Sequence, residues 1–254
     1  MPVLFIGHGS PVNALGGNAY AASLGQLGQA LPRPKAIVSV SAHWVTQDTE
    51  VLKSGRPKTI HDFYGFPPEL YQMEYPAPGA PELAVRITGL LSEFRATGTD
   101  EWGLDHGTWA VLKHVYPAAD IPVLQVSLSA ALPLPQHVKA GEALAPLRDE
   151  GVLILGSGNV THNLRDVDRS PNPQPKGWAV EFDQLIGRAL QDRDVEALTN
   201  PAKFGVKLWQ HAHPSLEHFV PLLYAMGAGG SDAVSFPYQE MQAGTLSMRS
   251  VRYG

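Results

Sequence analysis

Apolar and polar positions fall into blocks along this chain, and the blocks carry two different periods. Pro2 to Ile6 is an apolar run of strand length, closed by Gly7-His8-Gly9-Ser10-Pro11. From Asn18 to Leu31 the apolar positions Tyr20, Leu24, Leu27 and Leu31 recur at the spacing of one helix face. Pro32-Arg33-Pro34 stops that helix, because proline has no amide proton to donate. Ala36 to Ala42 then reads as a buried strand that ends at His43-Trp44. Strand, helix and strand in that order form a βαβ unit, whose crossover makes the two strands parallel. Their carboxyl ends should share one edge of a sheet, with His8 and His43 on neighbouring strand ends. The glycines around His8 are expected to keep side chains clear of whatever binds there.

Later blocks repeat the alternation. Residues 55–79 are rich in proline and aromatics, a loop too long to be idle in a compact domain. Pro81 suits the first turn of a helix whose apolar face is Leu83, Ile87, Leu90, Leu91 and Phe94. A short helix follows Glu101 to Trp109 and runs through Leu112 and Val115. Pro122 to Leu128 is a strand, Val138 to Arg148 a helix with Pro146 inside it, and Gly151 to Gly156 a strand. That strand continues into Ser157-Gly158-Asn159-Val160-Thr161-His162-Asn163-Leu164. Asp166 to Gly177 is a polar surface loop, and Trp178, Phe182, Leu185, Ile186 and Ala189 mark a helix. Ala202 to Trp209 carries no clear period. Phe219, Leu222, Leu223 and Met226 mark a last helix, ended by Gly227 to Gly230, and Thr245 to Arg252 is a closing strand. The pattern predicts the α/β class: one domain over 1–254, with a central, mostly parallel or mixed sheet flanked by helices. The active site is expected at the strand carboxyl ends.

Composition narrows the chemistry. Net charge is −5 and no Lys/Arg run is present, which argues against a nucleic-acid partner. With no cysteine there is no disulfide, no thiolate metal ligand and no thiol nucleophile. No signal peptide and no membrane-length apolar run is visible, so the expectation is a cytoplasmic protein without a membrane partner. The pattern leaves the oligomeric state open.

Histidine is the residue type that recurs in suggestive places. His8, His43 and His162 end or closely follow strands, and His106 and His218 sit at loop–helix junctions. Imidazole suits Fe, Zn, Cu and Ni, and few carboxylates accompany it here, so a magnesium or calcium cage is not expected. His106 beside Asp105 reads as a carboxylate-oriented acid or base. His61, in the aromatic loop, is a candidate for substrate binding. His114 and His137 read as helix-surface residues, and His211 and His213 as positioning a turn. Ser10 lacks the flanking pattern of a hydrolase elbow.

Six segments, taken in order, carry a resemblance. Gly7-His8-Gly9-Ser10-Pro11, Ser41-Ala42-His43-Trp44, Ile60-His61-Asp62-Phe63, Trp102-Gly103-Leu104-Asp105-His106-Gly107, Gly156 to Leu164 and His213-Pro214-Ser215-Leu216-Glu217-His218-Phe219 resemble the 4,5-DOPA extradiol dioxygenase family. That family belongs to the class III, LigB-type extradiol ring-cleavage dioxygenases. The resemblance implies one α/β domain with a mononuclear metal site. By it, His8 and His43 are metal ligands and His218 matches the third. His162 matches a histidine that handles the substrate proton, near enough to the metal to be a candidate ligand, and His106 matches a second catalytic histidine. The wider superfamily usually has Glu as third ligand; Glu217 and His218 are adjacent, and helix neighbours point about 100° apart, so only one should face the metal. The resemblance further implies Fe(II) for activity, a DOPA-like catechol and O2 as reactants, and Zn(II) as a competitor for the site on purification. Two other readings of a histidine site are a metal chelatase of tetrapyrrole metabolism and a zinc-dependent hydrolase.

Overall fold

Each apolar run of strand length takes a place in one sheet, and the helices lie on its two faces. The computed structural model describes every residue, 1–254. In chain order the elements are β1 (Val3–Gly7), α1 (Ala19–Ala30), β2 (Ala36–Thr46), β3 (Glu50–Leu52), α2 (Pro81–Leu90), β4 (Thr97–Thr99), α3 (His106–Val115), β5 (Val123–Ser129), α4 (Leu134–Leu144) and β6 (Val152–Gly158). They continue with α5 (Gly177–Asp192), α6 (Val195–Thr199), α7 (Val206–Ala212), α8 (Val220–Gly229), β7 (Val234–Tyr238), β8 (Met241–Gln242), β9 (Leu246–Ser247) and β10 (Ser250–Tyr253). Eight strands form a mixed sheet in the order β4-β3-β5-β2-β6-β1-β10-β7, and β8 with β9 makes a separate hairpin. The four central strands β5, β2, β6 and β1 are parallel. They are buried on both faces, as parallel strands require.

Alternation along the strands divides the core in two. Val3 and Phe5 face one apolar cluster with Val38, Leu124 and Ile154, covered by α4, α5 and α8. Leu4 and Ile6 face the other with Ile37 and Leu153, covered by α1, α3 and the buried Phe63, Leu70 and Tyr75 of the aromatic loop. α8 is buried all round, which explains its unbroken apolar sequence. It runs on through Gly227, because that residue packs backbone to backbone against Val138 of α4.

Several elements differ from the sequence reading. β6 lies between β1 and β2, so the ends bearing His8 and His43 share an edge without being neighbours. β2 does not stop at His43 but continues to Thr46, while its pairing with β5 slips: six residues from Val40 to Val45 oppose three from Val126 to Leu128. The predicted closing strand divides into β9 and β10 around Met248 and Arg249. Short β3, β4 and β7 carry too few apolar positions to show a period, and β7 holds Pro237, which suits an edge strand. α4 starts at Leu134 and ends before Pro146, which opens a 3-10 turn over Ala145–Arg148. No helix is long and apolar enough to cross a membrane.

Candidate metal centre

The carboxyl ends of β1, β2 and β6 meet over a group of imidazoles. β1 ends at Gly7, and the His8 amide donates to the Gly158 carbonyl at the end of β6. Gly9 has φ +60, a backbone that favours glycine. A Cβ on Gly7 or Gly9 would strike Met248 or Gln242, so these glycines make room for the chain entering β10. For Gly7 that replaces the expected role of clearing space for a ligand, whereas Gly9 also lines the cavity beside the imidazoles. In β2 the bulge over Ser41 to Trp44 turns His43 toward the site, the usual effect of a bulge on side-chain direction. His218 lies in the turn before α8. The Asn159 amide donates to its carbonyl at 2.8 Å, and a Cβ on Gly158 would stand 2.1 Å from that oxygen. Only glycine at position 158 lets His218 come so close to β6.

His8, His43 and His218 bring ring nitrogens within 4.8 Å of one another. Ser157 Oγ donates to the Gly107 carbonyl at 2.5 Å, so toward His8 it acts as acceptor, and the His8 Nδ1–H donates to it at 2.9 Å. That tautomer leaves His8 Nε2 with a lone pair. His43 Nδ1 stands 3.4 Å from Asp62 Oδ2, so a proton on that nitrogen would face the carboxylate. With that tautomer the two Nε2 atoms, 3.1 Å apart, both present lone pairs. Two lone pairs at that distance repel unless a cation lies between them. Two ligands about 2.1 Å from one ion at a right angle stand about 3.0 Å apart. The donor set of imidazole nitrogens, with no thiolate or carboxylate among the three, fits a first-row transition metal.

Burial, followed by the neighbouring imidazoles, holds His8 and His218 well below the usual histidine pKa. Burial and the adjacent His106 push His43 down to about 3. All three are therefore neutral near pH 7, the form that binds metal. Glu217 Oε1 lies 3.2 Å from His218 Nδ1 and accepts from Ser215 Oγ at 2.9 Å. His218, not Glu217, joins His8 and His43 in the cluster.

His106 and His162 flank this group. His106 is the first residue of α3, its ring centroid 3.9 Å from that of His43. Its backbone amide donates to Asp62 Oδ1 at 2.9 Å, and its Nδ1 lies 3.0 Å from the same oxygen. Burial pushes the Asp62 carboxyl up, but the hydrogen bond and charge of His106, with His43, more than offset this and hold it low. The carboxylate beside His106 is thus Asp62, not Asp105 as sequence adjacency suggests. Asp105 instead caps α3 and accepts from Ser41 Oγ and Gln125 Nε2, each at 2.7 Å. His162 stacks on His218 at 3.4 Å between centroids. It groups with Glu217 and His218 rather than with His8 and His43. Burial first, offset in part by Glu217, pushes His162 down to about 4.

These histidines border a cavity of about 410 Å³ whose other wall includes Phe63, Phe66, Leu164 and Leu246. That volume suits a small aromatic ligand. His61 does not border it: its Nε2 faces the Met73 carbonyl at 2.9 Å and its ring packs against Trp109. Phe63 and Phe66 are the aromatic-loop residues that reach the cavity. His213 Nε2 donates to the Val160 carbonyl at 2.7 Å, fixing the segment before His162. His137 is buried rather than on a helix surface.

Comparison with known proteins gives a consistent picture. A model of the catalytic LigB subunit of aromatic ring-opening dioxygenase matches residues 13–251. The chain is 45% identical to a 4,5-DOPA dioxygenase extradiol of Escherichia coli (strain K12), over all of this chain and 95% of that protein. It is 41% identical to a 4,5-DOPA dioxygenase extradiol of Beta vulgaris, over 98% of this chain and 95% of that one. A crystal structure of an uncharacterized Escherichia coli K12 protein superposes with a TM-score of 0.87 at 41% identity, covering 100% of both chains.

Proposed function

The chain belongs to the LigB family of aromatic ring-opening dioxygenases and is a catechol ring-cleaving dioxygenase; on that premise we propose that it cleaves a DOPA-like catechol beside its two hydroxyls, with Fe(II) held by His8, His43 and His218. The matched family and the named relatives are dioxygenases, which leaves the chelatase and zinc-hydrolase readings without support. The observation that carries the site assignment is the convergence of the His8, His43 and His218 ring nitrogens, with the Nε2 atoms of His8 and His43 3.1 Å apart.

Fe(II) held there would lower the pKa of a bound hydroxyl, as zinc also would, and would add the redox activity toward O2 that zinc lacks. The chain's own residues do the rest. Phe63 and Phe66 flank the ring and limit water on that side. His162, neutral because burial holds its pKa near 4, accepts the second hydroxyl proton at a ring nitrogen and returns it as the ring opens. His106, its Nδ1 3.0 Å from Asp62 Oδ1, donates to charge developing on oxygen when both its ring nitrogens carry protons. Ser157, Asp62 and Glu217 each meet the other nitrogen of one of the three ligating rings. Such partners fix a ring's tautomer and raise its basicity toward metal.

Anaerobically iron-loaded protein, mixed with L-DOPA or 4-methylcatechol and then O2, should consume oxygen and form a yellow ring-opened product. Zinc-loaded protein should do neither. Oxygen uptake that is absent across a catechol panel at full iron occupancy contradicts the reading. His162→Ala should retain iron and lose turnover by roughly 100-fold or more; His8→Ala should lose the iron itself, measured by metal analysis after gel filtration.

A further inference from the structure

A single arginine borders the imidazole cavity, and nothing in the protein neutralises it. Arg169 lies in the loop between β6 and α5. Arg169 has no carboxylate within 4.0 Å, as is also true of Arg56, Arg165, Arg188, Arg193 and Arg252, but of these it alone lines the cavity. The acids of its own loop are already engaged. Asp166 pairs with Lys176 and accepts from Trp178 Nε1 at 2.8 Å. Asp168 Oδ1 accepts from the Ser170 amide at 2.8 Å.

The backbone on both sides of Arg169 is tied down. The Asp168 amide donates to the Ala243 carbonyl at 2.9 Å, and the Lys176 amide donates to the Gly244 carbonyl at 2.8 Å. Ala243 is itself part of the cavity wall. It forms the β8–β9 turn with Gly244, at φ +50 and +73. The Asp168–Ser170 hydrogen bond then closes a tight turn around Arg169. Arg169, itself exposed, therefore lines the cavity from an anchored loop, and apart from Ser10 the rest of the wall is imidazole, aromatic and aliphatic. Imidazoles and a planar cation lining one cavity ask for a ligand that carries both hydroxyls and an anion. We propose that Arg169 binds the carboxylate on the side chain of the catechol substrate, and so selects catechols that carry an acid group. The assignment rests on the catechol reading above and names the residue that sets substrate class within it. A guanidinium can hold a carboxylate through two parallel hydrogen bonds, which an ammonium cannot reproduce.

The test is calorimetric titration of zinc-loaded protein under nitrogen, which reads binding without turnover. The probes are 3,4-dihydroxyphenylpropionate and 4-ethylcatechol, alike except for the carboxylate. The wild type should prefer the acid by about tenfold, the size expected of a charge-assisted pair. Arg169→Gln should abolish that preference and Arg169→Lys should keep part of it. Added salt should weaken the preference in the wild type and leave the Gln variant flat. A preference ratio that Arg169→Gln leaves within twofold overturns the proposal, as does an equal loss for both probes. Oxygen uptake by iron-loaded wild type separates the two readings. Catechol cleavage with an unchanged ratio removes only the Arg169 assignment; a changed ratio without cleavage of any catechol removes only the reaction.

Discussion

At the scale of single residues, Asp62 is the group on which most of the site depends. One carboxylate reaches Nδ1 of His43, a metal-ligand candidate, and Nδ1 of His106, a candidate proton donor. It is held ionised because the favourable contacts with His106 and His43 outweigh its burial. Asp62→Asn keeps the shape but turns an acceptor into a group that is half donor. Loss of such a partner costs metal affinity or activity by roughly 10- to 100-fold. We expect kcat to fall by about that factor, and competition against a chelator to show weaker metal binding. Values within twofold of wild type for both would show that the two contacts do not matter. His8, His43, His106, His162 and His218 were legible in the sequence because each follows a strand or opens a helix. Asp62 was not, since it meets His106 across 44 positions of chain and its neighbour His61 drew attention instead. Once folded, His61 turns to the Met73 carbonyl, and Phe63 and Phe66 reach the cavity.

At the scale of elements, the site is aimed by departures from regularity. The β2 bulge turns His43 inward, and the bare backbone of Gly158 lets the turn before α8 bring in His218. Neither shows as a period, so apolar patterning recovered the long elements and missed these. It also placed β1 beside β2, because pattern fixes parallel direction but not which later strand inserts between them. β6 does so, and brings Ser157 under His8. Behind the site, Arg249 Nε donates to Asp183 Oδ1 at 2.9 Å, and Ser247 Oγ donates to the same oxygen at 2.6 Å. This pair ties α5 to the chain between β9 and β10, which packs on Gly7 and Gly9. Asp183→Ala leaves a buried guanidinium without a partner and should cost about 3–5 kcal/mol. A protein of this size would then melt roughly 10 °C lower by calorimetry. A fall of less than about 2 °C would mean the pair is not holding these elements together.

At the scale of the whole molecule, two apolar clusters on opposite faces of one sheet hold a set of neutral imidazoles, which makes the fold sensitive to acid. His137 is one of these, away from the metal group on α4, where burial pushes its pKa down to about 4. The unfolded chain takes up that proton near pH 6.5, before the folded one does. Stability is therefore full above about pH 6.5 and declines as the pH falls toward 4, by at most about 3 kcal/mol for this residue. His137→Leu should flatten the urea midpoint against pH over that window, and an unchanged slope would count against it. Bound metal, by selecting the folded state, should raise the midpoint throughout. The central claim is that one metal ion sits on His8, His43 and His218, yet the fold offers two other clusters, His43 with Asp62 and His106, and His162 with Glu217 and His218. A crystal structure of iron-loaded protein, with anomalous scattering measured across the iron edge, distinguishes them directly. The account expects one peak about 2.0–2.2 Å from the Nε2 atoms of His8 and His43 and from a ring nitrogen of His218, with His162 and His106 outside bonding distance. A peak bonded instead to Asp62 and His106, or to His162 and Glu217, would contradict it.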